Sequence, residues 1–277
     1  MNRLSINYIN GIVIDFKKRI AIILQNKRIK LKRKQYPQMT RKIFASTLIL
    51  IFTLSLSMFT PAEAKSGSAT TANMLLAEIS ELNSDNIPSE EAFKLAYQGY
   101  TALKADPGNI KKDILTIIDF SLPSTDKRMW IIDLKSKSIL FNDYVAHGRS
   151  SGENEVVAFS NLSGSYMSSI GFYITAETYQ GKHGLSLRLE GMDDEYNSNA
   201  RNRAIVMHGA DYVSQDFIKQ YGRLGRSLGC PSVSMEIHEA VIETIKEGSA
   251  LFIYYPDTDF PKKSQVLNTT FNHQAKL

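Results

Sequence analysis

Two stretches decide how this chain reads: Ala204-Ile205-Val206-Met207-His208-Gly209-Ala210-Asp211 and, behind it, Gly222-Arg223-Leu224-Gly225-Arg226-Ser227-Leu228-Gly229-Cys230-Pro231. In the first, an apolar run of strand type ends on His208, and Gly209 lets the chain turn at once. A strand end is a rigid platform, so an imidazole there is held in place while still facing a groove. In the second, Cys230 follows a glycine in a polar, arginine-bearing loop. A free thiol ionises near pH ~8.5, so little thiolate exists at neutral pH unless its neighbours favour it. His208 and the guanidiniums of Arg223 and Arg226 are the groups suited to favour it. The backbone N–H groups of Leu228, Gly229 and Cys230 are expected to converge on an oxyanion, with Gly229 supplying the unusual dihedrals of such a nest. Cysteine and histidine stand 22 residues apart, so only folding can pair them as nucleophile and base.

Cys230 is the only cysteine in 277 residues. Its weight depends on compartment, because exported proteins use cysteines in pairs and a single thiol there is either buried and inert or kept for reactivity. Residues 1–64 hold twelve Lys/Arg against two acids, Asp15 and Glu63; this is +10 of a whole-chain +5 and leaves residues 65–277 at −5. An acidic body lacks the clustered cations that displace counterions from phosphates, which excludes a nucleic-acid partner. The basic stretch reads instead as export: Arg41-Lys42, an apolar h-region over 43–59, then Thr60-Pro61-Ala62-Glu63-Ala64 with cleavage after Ala64. An uncleaved anchor is the other reading, although the run is shorter than the ~20 apolar residues of a span. The long extension before Met39 is either a cytoplasmic tail or precedes the true start. No cysteine directly follows the h-region, so a lipoprotein anchor is excluded. The expected location is the periplasm or cell envelope.

From Lys65 to Pro88 the composition is Ser-, Ala- and Asn-rich and reads as a mobile leader. Ser89-Glu90-Glu91 then opens a helix carrying Phe93, Ala96, Tyr97, Tyr100 and Leu103, which Asp106-Pro107-Gly108 ends. Met129–Leu134 and Ile139–Val145 read as a hairpin. Further strands are expected at 171–176, 186–189, 204–208 and 249–255, and helices at 214–221 and 235–247, closed by Gly222 and Gly248. The fold class is mainly β with short helices, a curved sheet or sandwich preceded by a short helical segment. The divisions are 1–64, a 65–113 leader with one helix, a 114–258 catalytic domain and a 259–277 polar tail.

These residues resemble the murein L,D-transpeptidase catalytic domain family, the YkuD-type cysteine transpeptidases. The resemblance rests on strand–His208-Gly209 followed by Ser227-Leu228-Gly229-Cys230. It is widened by Val145-Ala146-His147-Gly148-Arg149 and by Gly171-Phe172-Tyr173-Ile174-Thr175, and it covers about residues 115–257. It implies that Cys230 attacks a tetrapeptide stem of peptidoglycan at its third residue and forms a thioester. D-alanine leaves with a proton from His208, and an amine takes the acyl group: diaminopimelate, a protein lysine or a D-amino acid. It also implies that the Gly209 carbonyl orients the second ring nitrogen of His208, that carbapenem-type inhibitors acylate Cys230, and that no cofactor or metal is needed. The sequence departs from the family in two places. Leu228 stands where the main family has His, and Pro231-Ser232 replaces a Cys-x-Arg/Asn continuation, which leaves Arg226 or Arg223 to bind a substrate carboxylate.

Other readings stand beside these. With water as acceptor the chain is an L,D-carboxypeptidase, and with no chemistry it is a peptidoglycan-binding module on the same fold. Tyr173 and Phe172 alternate along a strand, so one is expected to face the core and the other the substrate. His147 and His183 sit in glycine-flanked loops as surface residues or groove linings. Asp211 reads as help for the helix start at Ser214 rather than as a third catalytic member.

Overall fold

The computed structural model describes residues 62–83 and 86–268, with side chains described from Thr70 onward. The h-region, the cleavage site's upstream residues and the end of the polar tail lie outside the described residues. Among the described residues, no helix is long and apolar enough to cross a membrane.

Eight strands form one sheet: β1 (Ile114–Asp119), β2 (Met129–Asp133), β3 (Ser138–Asp143), β4 (Gly171–Gly181), β5 (Gly184–Gly191), β6 (Val206–Gly209), β7 (Ser232–Val233) and β8 (Ala250–Tyr254). Their order across the sheet is β3-β2-β1-β8-β4-β5-β6-β7. The last strand therefore lies at the centre, parallel to β1 and antiparallel to β4. Ala250-Leu251-Phe252-Ile253-Tyr254 is buried along its whole length, as a strand covered on both faces must be. Around it run the helices α1 (Ala62–Asn83), α2 (Glu90–Ala105), α3 (Gln215–Tyr221), α4 (His238–Ile245) and α5 (Phe260–Lys263).

The expected mainly β architecture with short helices is what the chain adopts. Ser89 caps α2 through a bond from the Ala92 N–H, and Glu90 and Glu91 occupy its first turn. The apolar stripe of α2 packs on β1 and β8. Gly99 is required there: a Cβ would stand 2.1 Å from the ring of Phe172, which stacks on Phe252 at 4.2 Å between centroids. Gly222 closes α3 in the left-handed conformation. The second late helix is shorter than expected. α4 begins at His238 because Ser234 to Ile237 form a turn, with the Ser234 carbonyl accepting the Ile237 and His238 N–H groups.

The stretch read as a mobile leader is a helix instead. Ala72, Leu76 and Ile79 recur at helical spacing and are buried, and α1 packs on α2 and β3. Asn83 ties its end to the sheet: its amide donates to the Lys137 carbonyl, and its carbonyl accepts the Ile139 N–H at 2.8 Å. Strand β1 was not anticipated from the sequence either, although Ile114–Asp119 alternates into two buried faces.

Candidate active site

The site is built where β6 meets β7. These strands run parallel, with His208 opposite Ser232 and Gly209 opposite Val233. His208 is almost fully buried, and its Nδ1 lies 2.8 Å from the carbonyl oxygen of Gly209. That bond fixes the proton on Nδ1 and leaves Nε2 as the acceptor. The hydroxyl of Ser232, 3.0 Å away, donates to Nε2, and the Tyr212 hydroxyl lies 3.1 Å from Ser232 Oγ. Burial, then the neighbouring His183, His238 and Lys182, hold His208 below the usual histidine range, so it is neutral and basic at pH 7.

Cys230 sits on the loop leading into β7. Its Sγ accepts the Val206 N–H at 3.5 Å and faces the Ala204 carbonyl at 3.7 Å. Burial pushes the thiol above its ordinary range, while the Val206 amide and the Arg203 guanidinium pull the other way. Among the described residues no sulfur–imidazole hydrogen bond forms: the sulfur is docked against the entry to β6, and Ser232 occupies Nε2. Both groups nevertheless open on one groove of about 500 Å³. The β4–β5 turn (Lys182, His183) forms one wall, and the 226–230 loop forms the other. His183 stacks on His208 with centroids 4.5 Å apart.

The nucleophile loop is stapled from several sides. Ser227 Oγ accepts the Gly229 N–H at 3.0 Å and donates to the Cys230 carbonyl at 2.7 Å. Gly229 has φ 125°, and a Cβ there would fall 2.8 Å from the Met167 carbonyl. Beneath lies the segment 146–149, whose His147 carbonyl accepts the Ser227 N–H while Ser227 accepts from Arg149. His147 is itself wholly buried, not a surface or groove residue. Its Nδ1 accepts from Arg128 Nη2 at 2.8 Å, and its Nε2 faces the Gly152 carbonyl. Burial first, and the Arg128 cation second, lower His147 to about 4. Arg128 is fully buried and donates to the Leu122 and Val145 carbonyls.

The remaining expected residues divide. Arg226, Ser227, His183 and the half-exposed Leu228 line the groove. Arg223 does not: its Nε pairs with Glu153 at 2.9 Å, and the same carboxylate takes Arg226 Nη1 at 2.6 Å. Tyr173 is a correction. Both it and Phe172 are fully buried, because β4 is covered on its two faces there, and the Tyr173 hydroxyl donates to the Ser169 carbonyl. Asp211 lies in a separate cleft, where its carbonyl accepts from Ser214. The sequence reading assigned no role to Arg203, Tyr212 or Ser232. Ser232 had one signal, its alternation with Cys230 into a strand; the other two are brought in by folding alone. Among the described residues no cluster of His, Cys, Asp and Glu has a metal-holding arrangement.

The model of the L,D-transpeptidase catalytic domain family matches residues 84–254. The chain belongs to that family. The match takes in α2 as well as the sheet, so it begins upstream of residue 114. None of the curated proteins compared matches the chain. Among solved structures, similarity is seen to an L,D-transpeptidase from Mycobacterium smegmatis (10% identity, 52% of this chain and 59% of that one, TM-score 0.33). An L,D-transpeptidase 3 from Mycobacterium tuberculosis, in complex with a faropenem-derived adduct, gives 14% identity over 52% of this chain and 60% of its own, TM-score 0.31. One from Stackebrandtia nassauensis gives 11% identity over 66% and 90%, TM-score 0.31. The chain thus spans under two thirds of the length of the two mycobacterial proteins, and membership of the L,D-transpeptidase family rests on the domain match rather than on these likenesses.

Proposed function

We propose that this chain is an exported peptidoglycan L,D-transpeptidase that carries its acyl group on Cys230. The observation that supports it is one groove onto which both a half-buried thiol and a tautomer-fixed imidazole open. When a stem peptide enters, Ser232 releases Nε2 and His208 takes the thiol proton. The sulfur bonds to the carbonyl carbon of the third stem residue. The oxyanion is met by N–H groups of the 228–230 turn, where the Gly229 amide is at present satisfied by Ser227 Oγ. The imidazolium returns its proton to the departing D-alanine nitrogen, leaving a thioester. An acceptor amine then attacks, gives a proton to His208, and the thiol is regenerated.

Mass spectrometry of muropeptides after incubation of the protein with disaccharide-tetrapeptide tests this. A cross-linked or amine-exchanged product is expected; trimmed stems alone would make the chain an L,D-carboxypeptidase. A carbapenem should add once to the wild-type chain and not to Cys230→Ala. Absence of both turnover and adduct in folded protein leaves only a wall-binding module.

A further inference from the structure

Arg203 is a groove cation whose charge, among the described residues, no carboxylate answers. Arg203 precedes Ala204, the residue whose carbonyl faces Cys230 Sγ. It lines the same groove as the sulfur. Its Nη2 stands 3.3 Å from where a Cβ of Gly229 would be, one residue from the nucleophile. Four bonds fix the fork: Nη1 donates to the Ser160 carbonyl and Ser169 Oγ, and Nη2 donates to Ser165 Oγ and the Met167 carbonyl. All four acceptors are neutral, and among the described residues Arg203 forms no ion pair. Of the other groove cations, Lys182 likewise has no carboxylate partner among the described residues. Arg226 is answered by Glu153, Lys182 stands on the β4–β5 turn, and His208 is kept neutral by burial.

A half-buried guanidinium whose bonds all go to neutral oxygens keeps its full positive charge in a partly desolvated site, where a nearby anion is favoured. We propose that Arg203 is the electrostatic partner of the Cys230 thiolate, a positioning residue that holds the ionised sulfur after His208 has taken its proton. Covalent balance is unchanged: the proton moves from sulfur to Nε2, and the guanidinium neither gives nor takes one. The neutral sulfur docked at Ala204 and Val206 is the other side of this equilibrium. The same four bonds tie the 160–169 loop to the sulfur's surroundings, so the cation is held in place without substrate. The hydroxyl of Tyr212 and the ring of His183 also line the groove. The assignment rests on the proposed acyl transfer only for its purpose; the charge pairing itself is measurable without turnover.

Because Cys230 is the sole cysteine, the pH dependence of iodoacetamide alkylation of the full chain reports it alone. Arg203→Gln should raise the midpoint by about one pH unit, with an approximately tenfold slower reaction at neutral pH. Arg203→Lys, which restores charge without the fork, should recover part of that shift. In the unaltered chain, the rate ratio of iodoacetate to iodoacetamide should be higher when native than in urea, where Arg203 is distant. An unchanged midpoint in a folded Arg203→Gln chain overturns the proposal. So does a native ratio no higher than the unfolded one, a measurement that needs no variant to fold. If carbapenem adduct and muropeptide turnover persist while the midpoint stays fixed, this pairing falls and the transpeptidase reading stands. If the midpoint moves and no turnover is found, the reverse holds.

Discussion

Replacing His147 by Asn should flatten the acid sensitivity of the fold. His147 Nδ1 accepts from Arg128, and the ring is wholly buried under the nucleophile loop. Its pKa falls from an ordinary 6.5 to about 4 in the folded chain. Between these values the unfolded chain binds a proton that the native chain refuses, so native stability is full above pH ~6.5 and is lost as the pH falls towards ~4. Each pKa unit of difference is worth about 1.4 kcal/mol, so the loss comes to about 3 kcal/mol. For a domain of this size that corresponds to roughly 6–12 °C in Tm. Asparagine keeps an acceptor for Arg128 and does not titrate. It should lower Tm at pH 7 through the lost ring volume, and the gap from wild type should then shrink by most of that 3 kcal/mol on acidification. Asp119 and Asp193, raised by burial, act with the opposite sign. They are present in both chains, as is His208, and cancel in the difference. The assay is thermal unfolding by circular dichroism from pH 7.5 to 4. A constant gap across that range would refute the reasoning that His147 is held neutral.

Ser232→Ala removes the donor on Nε2 and should cost about 1–3 kcal/mol of stability, since it strands a buried acceptor. Because it also frees Nε2 for the thiol, it should speed β-lactam acylation, measured by intact mass against time, with Ser232→Thr restoring the slower rate. Gly229→Ala forces a side chain into φ 125° and onto the Met167 carbonyl. A loss of about 1–3 kcal/mol is expected in urea titration, together with loss of acylation. Gly99→Ala drives a methyl into the Phe172 ring and should destabilise by about 1–3 kcal/mol despite alanine's better helix propensity, with the thiol's alkylation midpoint unmoved.

What was legible in the sequence was whatever depends on local order. The capped start of α2, the β2–β3 hairpin, the Gly222 stop and the His208-Gly209 strand end are each written within a few consecutive residues. The leader was misjudged because Ser and Asn content outweighed the spacing of Ala72, Leu76 and Ile79, whose burial exists only once α2 and β3 are in place. Tyr173 was misjudged for a related reason: alternation identifies a strand but not whether both faces are covered. Arg223 and Arg226 were chosen for nearness in sequence, and Glu153, far upstream, neutralises them. Arg203 carries no local mark at all. It comes to line the same groove as the sulfur because β6 and the 226–230 loop meet in space.

Placing β8 between β1 and β4 has a consequence for synthesis. Until Ala250–Tyr254 has left the ribosome, β1–β3 and β4–β7 are two ribbons whose strands do not pair with each other, each with an open inner border. The thiol and its base belong to the second ribbon, yet their platform gains its central support only with the final strand. A chain cut short before residue 250 would expose two sticky sheet margins.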